Sequence, residues 1–121
     1  MSQVVLLGLA EDLSRQLAHL LREEAHQVRR RHSLREVWLG GRPDAVFVSG
    51  DTPDFREVIA TLRAAEPHIP LIVVTRHPET SQWLDALEAG ATDYCGGHFE
   101  RVHVRWLMDS VPARQRSRAA A

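Results

Sequence analysis

The sequence of 121 residues contains no lysine, since all 15 of its basic residues are arginine. Chemistry that needs a lysine ammonium group or a Schiff-base amine is therefore excluded. The single cysteine, Cys95, excludes an internal disulfide and a zinc site built from several cysteines. One free thiol fits a reducing compartment, so we expect a cytoplasmic location. No apolar run approaches the roughly 18–20 residues that span a bilayer, so we expect no membrane segment.

Charge and composition describe one globular domain. Fifteen basic residues stand against sixteen acidic ones, a formal charge of -1 with no excess that would indicate a nucleic-acid partner. With 44% hydrophobic and 26% charged residues, the chain has enough apolar material for one core. We predict a single domain over residues 1–111 and a disordered tail or linker over the arginine-rich residues 112–121.

Short apolar runs alternate with helical patterns along this domain. Strands are predicted at residues 4–9, 26–31, 45–49, 71–75 and 93–96, each followed by a helix. A capping box of Ser33 and Glu36 begins a short second helix, which we expect to continue to Leu39 and to end at Gly40-Gly41. This alternation predicts an α/β fold with helices on both faces of a mainly parallel sheet. Function in such sheets belongs to the loops beyond the carboxyl ends of the strands, here residues 8–10, 49–53, 75–76 and 96–97.

The second strand is the weakest of the five and contains the densest basic patch, Arg29-Arg30-Arg31-His32. The interpretation that we favour is an edge strand protected from aggregation by its charge. A contact with nucleic acid or with an acidic protein surface is the alternative.

Parts of this pattern resemble the receiver domain of bacterial response regulators, the chemotaxis-regulator-like fold. Residues 43–48 (PDAVFV) resemble the family's approach to its central strand, and Pro53 has the spacing of a proline four residues beyond the phosphoacceptor. Residues 86–94 (ALEAGATDY) are similar to a stretch typical of receivers. The resemblance covers residues 3–111 and implies a doubly wound, flavodoxin-like (βα)5 fold with five parallel strands in the order 2-1-3-4-5.

The resemblance also implies a chemistry, in which a histidine kinase donates a phosphoryl group to an aspartate and acidic residues hold magnesium. Here the phosphoacceptor position carries Ser49, and the acidic pair falls on Gly8 and Leu9. The family's lysine falls on Gly97, and the proline beside it on His98. None of these residues supplies a carboxylate or an ammonium group. We therefore predict a degenerate receiver without catalytic residues, metal, cofactor or enzymatic activity.

Two positions of the family's switch are retained. Thr75 lies where receivers have the hydroxyl that binds the phosphoryl group, and Tyr94 lies where they have an aromatic side chain that changes rotamer. A structural role for both, as a strand-end hydroxyl and a packed ring, is the simpler interpretation. Arg76 follows Thr75, and we hypothesise that its guanidinium reaches Asp51 and occupies the space that a phosphoryl group would fill.

Acidic residues a few positions beyond the family's sites offer a substitute for the missing carboxylates. Helix capping and turn formation explain three of them, Asp12, Asp51 and Asp54, without a metal ion. His98 and His103 are five residues apart, which does not place both on one helical face, so we do not predict a histidine metal site.

We predict a two-component-type signalling module that acts by phosphorylation-independent binding of a protein partner. The resemblance indicates the face formed by residues 80–111 as the partner surface, with a homodimer as one form of the interaction. Exposure of Trp83 or Trp106 would mark such a surface. Two alternatives stay open: a phosphorylatable receiver that uses Asp51 in a shifted loop, and a sensor of a small ligand in the strand-end cleft.

Overall fold

A computed structural model describes residues 2–109, and in it five strands form one parallel sheet. The strands are β1 (Gln3–Leu7), β2 (Gln27–Arg31), β3 (Ala45–Ser49), β4 (Leu71–Thr75) and β5 (Asp93–Gly96). The α-helices are α1 (Glu11–Glu23), α2 (Phe55–Ala65), α3 (Thr80–Ala89) and α4, residues 101–109. The order β2-β1-β3-β4-β5, with every pair parallel, confirms the predicted fold class and strand order. The predicted tail, residues 112–121, lies outside the described residues.

The core lies on both faces of the sheet because the central strands are buried on both sides. Every residue of β3 and β4 is buried, and their apolar side chains alternate between two clusters. α1 and α4 cover the cluster around Phe47, while α2 and α3 cover the other through Ile59, Leu62 and Ala86. Continuous apolar strands are what a parallel sheet covered on both faces requires. In the described part of the chain no helix is long and apolar enough to cross a membrane.

The structure corrects two of the predicted elements. β1 ends at Leu7 rather than at residue 9, because Gly8 turns the chain with a φ of 69°. The second helix is only a 3-10 turn over Leu34–Glu36, although the Glu36 carboxylate accepts the predicted capping hydrogen bond from the N–H of Ser33 at 3.2 Å. Turns follow it instead of further helix, ending at two glycines with positive φ.

The arginines of β2 explain why the helix does not extend beyond this 3-10 turn. Arg29 and Arg31 donate hydrogen bonds to main-chain carbonyl oxygens within residues 36–41, which satisfies groups that a helix would otherwise pair. Arg30 forms an ion pair with Glu11 at 2.7 Å. β2 lies at the edge of the sheet as predicted, and the three arginines of its basic patch are bonded within the chain.

Candidate functional site

The loops predicted to carry function meet at the carboxyl edge of the sheet. Gly50 N–H donates to the carbonyl oxygen of Val74 at 2.8 Å, which joins the loop after β3 to the end of β4. Gly97 N–H donates to the carbonyl oxygen of Thr75 at 2.9 Å, which joins the loop after β5 to the same strand. The loop after β1 lines one cleft together with the end of β3. The positions singled out in the sequence therefore lie at one edge.

The positions that correspond to the magnesium ligands and the phosphoacceptor carry no carboxylate. Gly8 donates its N–H to the carbonyl oxygen of Arg31 at 2.9 Å, and Leu9 packs against the cluster beneath α1 and α4. Ser49 is 5% exposed, and its Oγ accepts the N–H of Asp51 at 3.1 Å. The Ser49 hydroxyl therefore helps to shape the loop after β3.

The Asp51 carboxylate is bonded to the end of β4. Its Oδ1 accepts a hydrogen bond from Thr75 Oγ1 at 2.5 Å, and Oδ1 and Oδ2 lie 3.3 and 3.2 Å from the donating N–H group of Arg76. The Thr75 hydroxyl also accepts the N–H of His77 at 3.3 Å. Thr75 is only 1% exposed, so this hydroxyl is buried and satisfied.

We hypothesised that the guanidinium of Arg76 covers Asp51, and this hypothesis is wrong. The guanidinium pairs with Asp12 at the start of α1, and the main-chain N–H of Arg76 is the group that reaches Asp51. The hydrogen bond from Arg76 holds the pKa of Asp12 below its ordinary value. The capping interpretation is wrong for Asp54, which lies at the N-cap of α2 without a side-chain capping hydrogen bond. Asp12, in the first turn of α1, accepts main-chain hydrogen bonds at this helix start in addition to its pair with Arg76.

The position of the missing lysine is closed by packing. A Cβ atom at Gly97 would lie 2.4 Å from Cδ2 of Leu13, far inside the normal contact distance. Leu13 is 4% exposed and belongs to the core shared by α1 and α4. A side chain at position 97 therefore requires the end of the buried Leu13 side chain to move. The following residue, His98, is exposed and is joined to Gly97 by a cis peptide bond.

Gln82, which the sequence analysis missed, connects these loops to α3. Its Nε2 donates to the carbonyl oxygen of Gly50 at 2.6 Å, and its Oε1 accepts a hydrogen bond from the Tyr94 hydroxyl. The same hydroxyl accepts the N–H of Glu79, immediately before α3, at 3.1 Å. A polar residue on a helix gives no signal of such contacts, which the arrangement of the loops creates. Tyr94 thus combines packing against the α2–α3 side with two hydrogen bonds.

Two open clefts flank the loops. A cleft of about 280 Å³ lies between Gly8, Ser49 and the 3-10 segment, and a second of about 480 Å³ lies beside Asp51, Thr75 and Gln82. Within residues 2–109, no three histidine, cysteine, aspartate or glutamate side chains are grouped so that they could hold a metal ion.

Five of the six large apolar side chains that are exposed on residues 2–109 lie on α3 and α4. We call these five residues, which lie on two helices that cover opposite faces of the sheet, the α3–α4 surface: Trp83, Leu84, Leu87, Val102 and Trp106. Trp83 is 44% exposed and Trp106 is 58% exposed. The structure thus places two aromatic side chains in solvent on the face predicted to bind a partner.

The arginines of α4 are engaged within the chain. Arg101 forms ion pairs with Glu23 and Glu24, and Arg105 pairs with Glu24 at 2.9 Å. These contacts tie α4 to the end of α1, and the two arginine side chains stay exposed on α4 beside Val102 and Trp106.

The sequence matches no model of a known protein family, and no curated protein is significantly similar to it. Solved structures do share the fold. NtrX from Brucella abortus has a TM-score of 0.88 at 15% identity, covering 98% of this chain and 29% of that one. A putative response regulator from Chloroflexus aurantiacus has a TM-score of 0.81 at 21% identity, covering 93% and 98%. The chemotaxis response regulator CheY4 of Vibrio cholerae has a TM-score of 0.77 at 16% identity, covering 92% and 98%.

These similarities define the class of fold. The chain has the fold of response regulator receiver domains, as the sequence resemblance implied. It spans 29% of the NtrX structure and nearly all of the CheY4 structure.

Proposed function

We propose that this domain is a receiver-type signalling module, without enzymatic activity, that binds a protein partner and does not accept a phosphoryl group. The observation that carries the proposal is the engagement of Asp51, which already accepts hydrogen bonds from Thr75 and Arg76. Gly8 and Leu9 supply no side-chain ligand for a cation. Without a cation to neutralise the transferred group, phosphoryl transfer lacks its main electrostatic support.

The packing at position 97 supports the same proposal. A lysine there would provide a positive charge for the phosphoryl group, but Leu13 occupies the space into which its Cβ would project. The chain therefore lacks the positive charge at this position, and a side chain there would have to push the end of Leu13 aside. A module of this kind signals by binding a partner through an exposed surface, and not by phosphorylation at the strand ends.

The α3–α4 surface is the partner surface in this proposal. Aromatic side chains are enriched among the residues that dominate interface energies, and Trp83 and Trp106 are both available in the free domain. A second copy of the chain is one such partner. A nucleic-acid partner is disfavoured because Arg29, Arg30 and Arg31 are each bonded within the chain. Cys95 as a free thiol fits the reducing cytoplasm as the compartment.

Intact mass after incubation with a small phosphodonor and magnesium tests the loss of phosphoryl transfer. We expect no phosphoryl adduct, under conditions in which a receiver with an aspartate acceptor becomes fully modified. An adduct that is absent from Asp51→Ala and present in Asp54→Ala would overturn the proposal. It would establish the alternative, a phosphorylatable receiver that uses Asp51, which is favoured only by the exposure of this carboxylate beside the Thr75 hydroxyl.

A photo-crosslinking amino acid tests the partner surface. Placed at position 83, it should capture a protein in the native cell, whereas at position 39 it should not. Leu39 is the matched control because it is also exposed, at 57%, and lies outside the α3–α4 surface. Equal capture from both positions would count against the surface. A homodimer additionally requires a concentration-dependent mass in sedimentation that Trp83→Arg abolishes and Leu39→Arg leaves intact.

Binding of a small ligand is the second candidate function, and the cleft between Gly8, Ser49 and the 3-10 segment favours it. Its volume of about 280 Å³ lies just below the usual range of ligand pockets, about 300–1,000 Å³. A metabolite that raises the Tm of the wild type, but not of a variant with Thr52→Trp filling the cleft, would support this function.

A further inference from the structure

Ser49 brings an unused hydrogen-bond donor to the cleft that lies between Gly8, Ser49 and the 3-10 segment. Its side chain is 5% exposed, and its Oγ accepts the N–H of Asp51 at 3.1 Å. Within residues 2–109, no acceptor receives the hydrogen of this hydroxyl. Because a buried donor without an acceptor costs free energy, a ligand atom that accepts this hydrogen is favoured in the cleft.

Four apolar side chains line the same cleft. Leu7 and Val48 are almost fully buried at the ends of β1 and β3. Leu34 of the 3-10 segment and Val58 of α2 are partly buried and lie on either side of the opening. Removal of apolar surface from water is favourable, so the apolar body of a ligand is stabilised beside the Ser49 hydroxyl.

The charge at the cleft selects a neutral acceptor. Asp54 is the only carboxylate among the lining residues, and it makes no side-chain capping hydrogen bond with α2. No arginine lines the cleft, and the exposed imidazole of His32 is its only basic side chain. An anionic ligand would accept the hydrogen of Ser49 but would meet the negative charge of Asp54. An ammonium group has no lone pair that accepts this hydrogen.

We propose that this cleft binds a small neutral carbonyl compound, whose oxygen accepts the hydrogen of Ser49 and whose apolar body packs against the four apolar side chains. A carbonyl oxygen accepts without bringing a donor of its own that needs a buried partner. The volume of about 280 Å³ equals that of about nine water molecules at about 30 Å³ each, which fits one substituted aromatic ring. The inference deepens the second candidate function, the binding of a small ligand, and rests on it.

Three probes of similar size test the class of ligand. Acetophenone carries the carbonyl oxygen, isopropylbenzene has a methyl group in its place, and benzoate carries a carboxylate. Titrations followed by the amide chemical shifts of residues around the cleft should give an affinity for acetophenone about two- to tenfold higher than for isopropylbenzene, the effect of one hydrogen bond. Benzoate should shift none of these amides. Binding of benzoate or isopropylbenzene as tight as that of acetophenone would overturn the proposed class.

Variants separate the hydroxyl from the rest of the cleft. Ser49→Ala should lower the affinity for acetophenone to that for isopropylbenzene and leave the latter unchanged. Ser14→Ala is the matched control, because Ser14 is also 5% exposed but does not line the cleft, and it should keep the preference for acetophenone. Thr52→Trp, at an exposed position of the lining, should weaken both ligands. A preference for acetophenone that survives Ser49→Ala would overturn the role of Ser49.

Failure of this inference is distinguishable from failure of the second candidate function. If acetophenone shifts no amide of the wild type while another metabolite raises its Tm and not that of Thr52→Trp, small-ligand binding stands and the neutral carbonyl class is wrong. If neither acetophenone nor any metabolite acts on the wild type, both are wrong. None of these results depends on the phosphodonor experiment, because no probe transfers a phosphoryl group.

Discussion

Gly97 lies where the resemblance places the family's lysine, and the stability of a Gly97 variant measures the cost of adding a side chain there. Gly97→Ala places a Cβ atom 2.4 Å from Leu13 Cδ2, whereas apolar carbons normally approach to about 3.5–4.0 Å. Leu13 must leave its rotamer or α1 must shift, and overpacking of this kind costs about 1–3 kcal/mol. For a domain of this size we expect the Tm to fall by about 4–12 °C. Gly97→Lys should cost at least as much, because it carries the same Cβ.

A double-mutant cycle assigns this cost to the contact with Leu13. Leu13→Ala alone should destabilise the domain by about 2–5 kcal/mol, through lost burial and the cavity that it leaves. In Leu13→Ala/Gly97→Ala the new methyl group enters that cavity, so the loss should fall short of the sum of the single losses by about 1 kcal/mol or more. Urea denaturation followed by tryptophan fluorescence gives the free energies of unfolding of the wild type and of the three variants.

Leu17→Ala is the matched control for this cycle. Leu17 is buried on the same helix and in the same cluster, but it is not among the atoms that meet a Cβ at position 97. Its cycle with Gly97→Ala should be additive. A Gly97→Ala protein as stable as the wild type, or an additive cycle with Leu13→Ala, would refute the reasoning that Leu13 closes this position.

Three further predictions concern buried or partly buried groups. Ser49→Asp places a carboxylate where the side chain is 5% exposed, and we expect a loss of about 2–4 kcal/mol at pH 7. Burial raises the pKa of such a carboxyl, so the loss should shrink as urea denaturation is repeated at pH values falling toward the ordinary pKa of aspartate. Arg63 donates five hydrogen bonds around the ends of α2 and β5, and Arg63→Met should cost about 2–3 kcal/mol, whereas Arg56→Met on the exposed side of α2 should cost little. Burial, with a smaller contribution from the Asp93 charge, raises the pKa of Cys95 to about 12. Alkylation of the Cys95 thiol, measured by intact mass at a pH near 8.5, should therefore be at least about 100-fold slower in the folded protein than in the protein unfolded in urea.

The fold was predictable because its signals are local. The apolar runs at Ala45–Ser49 and Leu71–Thr75 have no polar face, which only a sheet covered on both sides accepts. The second helix was predicted too long because its length depends on Arg29 and Arg31, which take up the carbonyl oxygens after Glu36 from a neighbouring strand. The helix propensity of residues 33–41 cannot predict those contacts, because they come from another segment of the chain.

Some features of the candidate site could be predicted from the sequence, and others could not. That Gly8, Leu9 and Ser49 offer no carboxylate follows from residue types at matched positions, and it needed no geometry. What fills the space depends on packing between segments that are distant in sequence. The contact of Leu13 with position 97 is of this kind, and so are the bonds of Gln82. The direction of the Arg76 guanidinium was predicted wrongly because two carboxylates compete for it and only the arrangement of the loops decides between them.

The departures at positions 49 and 97 are supported by their surroundings, so we expect the reversal of either one alone to be unfavourable. An aspartate at position 49 would be a buried carboxylate that neither Gly8 nor Leu9 can help to neutralise through a bound cation. A lysine at position 97 would supply positive charge only after displacing Leu13 from the core. Each of these substitutions alone destabilises the domain, and only their combination with a reopened core could recreate the chemistry. The proposed signalling function is therefore best tested through what the α3–α4 surface binds.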